Sequence, residues 1–216
     1  MNEHTVFLVD DDASIRDALS LLISLKGLRA SVFSSAEDFL AVYNPGWRGC
    51  LLTDLKMQGM SGLELQEVLQ ERGVDLPVVV LTAHGDVNTT RMALKNGAVD
   101  FLEKPVNDDV LVDVLMNAIR IDEERHRTNT QHAQTSARLA RLTMREREVL
   151  DALADGLSHK EIAERLSISA RTVEVYKARM MDKLQCGTLA DVVRLAIEAR
   201  AVTSDRPHAG PRASSQ

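Results

Sequence analysis

The chain has 216 residues, of which 44% are hydrophobic and only 3% aromatic, and it carries a net charge of −6 at pH 7. That length suits two small domains better than one minimal module, and the scarcity of rings calls for cores of Leu, Val, Ile, Ala and Met. No run approaches the roughly 18 consecutive apolar residues of a membrane span. The first ten residues lack the order of a signal peptide, so a cytoplasmic location without a membrane partner is expected. Cys50 and Cys186 have no Cys or His neighbour at metal spacing, which argues against a disulfide framework or zinc and makes both small core residues.

The charge is unevenly spread. Residues 1–122 hold 10 Lys+Arg and 19 Asp+Glu, whereas residues 123–216 hold 16 and 13. An acidic half followed by a mildly basic one points to nucleic acid as a partner of the second half alone.

In chain order, the first half alternates short apolar runs with longer amphipathic stretches. The runs cover residues 6–9, 30–33, 50–53, 78–82 and 99–102; the helices between and after them cover 13–26, 36–43, 61–72, 86–96 and 108–121. Ile15, Leu19, Leu22 and Ile23, like Leu63, Leu65, Val68 and Leu69, recur at helical spacing. Strand-helix repeats of this kind predict a doubly wound α/β domain around a five-stranded parallel sheet over residues 1–122. Residues 123–140 are polar and too weakly patterned to bury a core. They read as a linker into which the last helix can continue, since it holds no Pro or Gly. An all-α four-helix domain is expected over 141–203, with helices at 143–155, 158–166, 169–184 and 188–199. Capping boxes at Thr143/Glu146 and Ser158/Glu161, and a weaker version at Thr188/Asp191, mark three of the starts. Gly156 and Gly187 stand where a left-handed C-terminal residue is wanted. A disordered tail is expected over 204–216.

In an open parallel sheet, ligands bind at the carboxyl ends of the strands. Those ends carry Asp10, Asp11 and Asp12 after the first run, Asp54 after the third, Thr82 at the fourth, and Lys104-Pro105 beyond the fifth. Clustered carboxylates repel one another unless a cation neutralises them. A hard divalent ion such as Mg2+, which takes oxygen ligands, suits the set. One carboxylate can then act as nucleophile toward a phosphoryl group while the metal and a lysine neutralise its oxygens. Asp12 reads equally well as a helix N-cap, and His84 as a loop residue lining the site.

Here a resemblance becomes specific. LVDDD, LLTDLKMQGMSG, VVVLTAHGD and VDFLEKP, in that order and spacing, resemble a CheY-like response-regulator receiver over about residues 3–122. The resemblance implies a flavodoxin-like fold with Asp54 as phosphoacceptor. It also implies Mg2+ held by Asp10, Asp11, Asp54 and the Lys56 backbone carbonyl, Thr82 touching the phosphoryl group, Lys104 paired with it, Phe101 as an aromatic switch, and a cis Lys104–Pro105 peptide. Two positions depart from the family's commonest pattern: Gln58, where a proline is usual after Met57, and Val106, where a phenylalanine is frequent. Neither is expected to touch the phosphoryl chemistry; they bear on the stiffness of the loop after Asp54 and the packing after Pro105.

The second half fits a helix-turn-helix with flanking helices. Val173, Tyr176, Met180 and Leu184 fall on one face of its third helix and should pack inward. The opposite face carries Arg171, Glu174, Val175, Ala178, Arg179 and Asp182. Arg suits guanine, Glu suits cytosine and small apolar groups meet the thymine methyl, so Arg171, Glu174, Val175 and Ala178 are the candidate base readers. Lys160, Thr172, Lys177 and Arg179 are the candidate phosphate contacts. LTMREREVLDALADGLSHKEIAERLSISARTVEVYKARMMDKLQ resembles the LuxR-type helix-turn-helix, and the whole chain is similar to the FixJ/NarL class of regulators. On the fourth helix, the apolar stripe Leu189, Val192, Val193 and Ala196 is either a dimer contact or internal core.

The resemblance implies a transcriptional regulator, not an enzyme, although slow autodephosphorylation is compatible with the site. Its expected partners are a sensor histidine kinase, double-stranded promoter DNA, RNA polymerase and a second copy of the chain. The dimer would form on phosphorylation through the face over 86–121, and its two-fold symmetry calls for an inverted-repeat operator. Two other classes compete: a regulator acting without phosphorylation, and a phosphohydrolase with an aspartate nucleophile. The second is opposed by Lys56, which stands where such enzymes keep a second acid.

Overall fold

A computed structural model describes residues 4–83, 91 and 94–204. The chain divides into two compact units after Arg127. In the first, β1 (Thr5–Val9), α1 (Ala13–Leu25), β2 (Arg29–Phe33), α2 (Ala36–Val42), β3 (Gly49–Asp54), α3 (Gly62–Glu71), β4 (Val78–Thr82) and β5 (Asp100–Glu103) follow in order, and α4 (Asp108–Leu139) comes after them. The helix expected over 86–96 lies largely outside the described residues, and His84 and residues 205–216 lie wholly outside them.

All neighbouring strands run parallel in the order β2-β1-β3-β4-β5. Side chains alternate between the two faces. Val6, Leu8, Cys50, Leu52, Val79, Leu81 and Leu102 pack with Ile23 of α1 and with Leu111, Leu115, Ala118 and Ile119 of α4. Phe7, Val9, Leu51, Val78 and Val80 pack with Phe39 of α2 and Leu65 and Leu69 of α3. β3 and β4 are covered on both sides, which is why their sequences are apolar without interruption. The second face departs from the expectation of a ring-poor core. Phe7, Phe33, Phe39, Tyr43 and Trp47 gather in one corner, with Phe7 stacked on Trp47 at 4.5 Å, so few aromatics are concentrated rather than dispersed. Cys50 is fully buried, and burial together with the charge of Asp122 pushes its thiol up to about 12.

The polar stretch after residue 122 is helical, since α4 runs on to Leu139. It is not wholly without core, because Leu139 is buried with the apolar residues of the second unit. That unit contains α5 (Met144–Ala154), α6 (His159–Leu166), α7 (Ala170–Leu184) and α8 (Leu189–Ser204). Both full capping boxes form, and Thr188 accepts from the Asp191 backbone N–H. Gly156 closes α5 at φ +83. Gly187 does not close α7: the left-handed cap there is Gln185, and Ser167 plays the same part after α6. Two non-glycine residues hold that conformation because the next residues, Ile168 and Cys186, pack against the core and return hydrogen bonds to Ala163 and Met181.

At the start of β3, Gly49 has φ +132, and a Cβ there would lie 1.9 Å from the Thr5 carbonyl oxygen. Neither strand can retreat without opening the β1–β3 ladder. Gly49→Ala is therefore expected to destabilise the protein by at least about 2 kcal/mol, measured by urea unfolding followed through Trp47 fluorescence.

Candidate functional site

The strand order reverses direction between β1 and β3, and the residues at that switch point are the acidic ones. Asp10 follows β1 and Asp54 ends β3, while Thr82 ends β4 and Lys104 follows β5. Asp10, Asp11 and Asp54 each place a carboxylate oxygen within 4.8 Å of the others. Lys104 Nζ donates to Asp10 Oδ2 at 2.8 Å and lies 3.1 Å from Asp54 Oδ2. The Lys104–Pro105 peptide is cis.

Asp10 is fully buried, and its backbone and both carboxylate oxygens have hydrogen-bond partners. Its N–H donates to the Phe33 carbonyl, its own carbonyl accepts from Arg16 Nη1 at 2.7 Å, its Oδ1 from the Asp12 N–H and its Oδ2 from Lys104. Asp12 itself caps α1, its side chain accepting from the Ser14 and Ile15 amides, and that settles it as an N-cap. Burial holds the Asp54 carboxyl above its ordinary value; the Lys104 ammonium pulls the other way without cancelling it, and the charge of Asp10 adds to the rise. For Lys104, burial alone would lower the value. The hydrogen bond to Asp10 and the charges of Asp54 and Asp10 outweigh it, and the ammonium is held above its usual range. One ammonium does not balance three carboxylates, and the all-oxygen donor set fits a hard divalent cation.

Thr82 is buried at its strand end. Phe101 is half-buried on β5, packed against the apolar cluster of the second sheet face. Lys56 lies two residues beyond Asp54 with its side chain exposed. Sequence reasoning missed three groups here. Arg16 reaches back to the Asp10 carbonyl, Glu37 accepts from the Met60 amide at 2.9 Å, and the Gln58 amide donates to Asp11 Oδ2 at 2.9 Å. In the last it is the backbone at 58, not the exposed Gln58 side chain, that meets a candidate metal ligand. Of these, only Arg16 had a sequence signal, one turn into a helix that starts at the site; the other two depend on the path of the loop.

In the second unit, Val173, Met180 and Leu184 of α7 are buried and Tyr176 is half-buried. The opposite face of α7 presents Arg171, Glu174, Val175, Ala178 and Arg179 to solvent, with Lys160 exposed on α6. Lys177 and Thr172 are half-buried, and the Thr172 hydroxyl shares a 2.8 Å hydrogen bond with Ser169 Oγ. The helix is fixed from behind: Lys183 Nζ meets Glu146 Oε2 at 2.6 Å, and the same oxygen accepts from the Thr143 amide. Burial of Glu146 would raise its carboxyl, but the Lys183 and Thr143 hydrogen bonds prevail and hold it below the usual value. On α8 the apolar stripe divides. Val192 and Ala196 are core, Leu189 packs on the edge of that core, and Leu189 and Val193 line an open apolar groove with Ala190 and Ile197.

A carboxylate cluster with a bridging lysine at the switch point of a doubly wound sheet, in a chain that also holds a helix-turn-helix, defines the class of two-domain signalling regulators. The comparisons agree. Residues 6–116 match the response regulator receiver domain, and residues 140–196 match the bacterial regulatory proteins of the luxR family. The transcriptional regulatory protein FixJ of Azorhizobium caulinodans is 40% identical over 200 residues, covering 93% of this chain and 95% of that one. Among solved structures, the response regulator StyR aligns with a TM-score of 0.83 at 38% identity, over 91% of this chain and 99% of that one. Full-length FixJ from B. japonicum aligns with a TM-score of 0.57 at 39% identity, over 93% and 99%. The chain belongs to the response regulators of the FixJ/NarL class and is a DNA-binding transcriptional regulator of a two-component system.

Removing the Lys104 ammonium leaves Asp10 buried without its ion-pair partner. Lys104→Met is therefore expected to cost about 3 kcal/mol of stability without metal, read by urea unfolding, with the loss shrinking as Mg2+ is added. Glu146 supplies a pH dependence. Its folded value is depressed, so its contribution is complete above the unfolded value near 4.5 and is lost as pH falls through the lower folded one. Glu146→Gln should flatten the slope of unfolding free energy in that acid range, as followed by circular dichroism, relative to the parent chain.

Proposed function

We propose that Asp54 accepts a phosphoryl group from a sensor histidine kinase, and that this modification raises the affinity of the second domain for promoter DNA. Within this reading residues 1–122 are the receiver, 123–140 the linker, 141–203 the DNA-binding domain and 204–216 a tail. The observation that carries it is Lys104 bridging Asp10 and Asp54 beside Asp11. Asp10, Asp11, Asp54 and the Lys56 carbonyl would hold Mg2+, which supplies charge neutralisation at the phosphoryl oxygens.

An Asp54 carboxylate oxygen attacks the phosphorus of the kinase phosphohistidine, the P–N bond breaks, and the imidazole leaves with the electron pair. Lys104, already within 3.1 Å of Asp54, then pairs with the new dianion. The Thr82 hydroxyl donates to a phosphoryl oxygen from the end of β4, and Phe101 follows it by repacking. The face over 86–121, of which residues 86–90, 92 and 93 lie outside the described residues, then dimerises, a two-state shift biased by the added charge. Water attacking the acyl phosphate returns the resting state slowly.

On DNA, Arg171, Glu174, Val175 and Ala178 read base edges in an inverted repeat, while Lys160, Thr172, Lys177 and Arg179 hold phosphates. The exposure of most of these side chains on one face supports the assignment. Of the two hydroxyls at Thr172 and Ser169, the one that accepts keeps a hydrogen to donate. RNA polymerase is the further partner of a bound dimer. A cytoplasmic location accords with the lack, among the described residues, of any helix long and apolar enough to cross a membrane.

Acetyl phosphate with Mg2+ is expected to add one phosphoryl mass to the parent chain and none to Asp54→Ala. The phosphorylated form alone should run as a dimer and bind selected DNA more tightly. Equal labelling of the variant, or full activity of Asp54→Ala in cells, would contradict this reading.

A further inference from the structure

The loop between β3 and α3 is tied down by backbone amides donating to carboxylates from other segments. The Gln58 N–H donates to Asp11 Oδ2 at 2.9 Å and the Met60 N–H to Glu37 Oε1 at 2.9 Å. Between them Gly59 sits at φ +81, where a Cβ would fall 2.9 Å from Glu37 Oε1. The loop is thus fixed at 58 and at 60, just beyond Lys56. The two acidic residues after β1 are held in different ways. Asp10 is buried and takes hydrogen bonds on both carboxylate oxygens, whereas Asp11 is exposed and no core packing selects its rotamer. The Asp11 carboxylate, which has an oxygen within 4.8 Å of one on Asp54, accepts an amide hydrogen bond reaching across from residue 58.

We propose that the backbone N–H of Gln58 is a positioning group for the cation site. It occupies one oxygen of Asp11, leaves the other to the cation, and links that carboxylate to the loop carrying the Lys56 carbonyl, so that both ligands are presented as one unit. The inference rests on the reading that Asp11 and Lys56 hold the dication. Hydrogen bonds to a ligating carboxylate fix its orientation, and losing one weakens metal binding by about 10- to 100-fold. The Gln58 side chain is exposed and takes no part. Any residue with an amide hydrogen can serve at 58; proline cannot.

The test is Mg2+ binding to the full-length chain by isothermal titration calorimetry. Gln58→Ala, which keeps the amide hydrogen, is expected to bind Mg2+ about tenfold more tightly than Gln58→Pro. A chain with the 57–58 peptide bond replaced by an ester loses the donor without the proline ring, so it keeps the question open to a clean answer should the proline distort the loop. It should match the proline variant. With acetyl phosphate, both donor-less chains should need more Mg2+ for half-maximal labelling of Asp54 and reach the parent's maximal rate when Mg2+ saturates. If the ester binds Mg2+ as tightly as the parent, or more tightly because the amide competes with the cation, the proposal is overturned. Failure of the parent chain itself to bind Mg2+ would instead overturn the reading of the site on which the proposal rests.

Discussion

Carboxylates that must lie side by side repel, and the ammonium of Lys104 is what allows Asp10 and Asp54 to share one sheet edge. The residues come from positions 10, 54 and 104, so the bridge exists only when β1, β3 and β5 are in register within one sheet. Four of the five strands, β1, β3, β4 and β5, carry polar residues of the site at or just past their carboxyl ends, and the two cores on either face hold those ends at fixed separation. Part of the charge remains unbalanced. That excess of negative charge makes the edge receptive to a divalent cation, while burial, with the charge of Asp10 adding to it, holds the Asp54 carboxyl above its ordinary value even though a lysine stands beside it.

The supports of the site are graded. Asp10 is immobilised from four directions, through its amide, its carbonyl and both carboxylate oxygens. Asp11 hangs on a single cross-loop amide, and Asp54 leans on Lys104. The more exposed carboxylates of the cluster are thus the least constrained, and the buried one is the most. The second unit follows the opposite logic. Its α7 is bolted from behind by the Glu146–Lys183 pair and by a continuous apolar face, leaving the other face free of structural duty. A rigid helix with an unburdened surface is what base-edge contact in a groove requires.

Much of this was legible before any coordinates. The five short apolar runs read as buried strands and the longer segments between them carry helical period, so the doubly wound plan and the strand-end cluster follow from the alternation of run and helix. Thr143 and Glu146, or Ser158 and Glu161, announce helix starts because a cap and its partner are three residues apart. Asp12 could not be decided from sequence, since a carboxylate after a strand suits a metal and an N-cap equally. The concentration of Phe7, Phe33, Phe39, Tyr43 and Trp47 in one corner was hidden as well, because composition counts rings without locating them. Gly187 misled because glycine is neither a sufficient nor a necessary signal for a left-handed cap, and tertiary packing of Ile168 and Cys186 placed Ser167 and Gln185 there instead.

The amino-acid order alone therefore determined the two-part plan, the fold of each part and which residue types stand at the strand ends, since these rest on local period and short-range spacing. Tertiary structure decided what depends on the path of a loop or the meeting of distant segments. Asp12 became a cap, the apolar stripe of α8 divided between core and groove, and a backbone amide at 58 came to rest on Asp11. Backbone donors carry no signature in a sequence, because every residue but proline has one. Only the fold shows where each of them points.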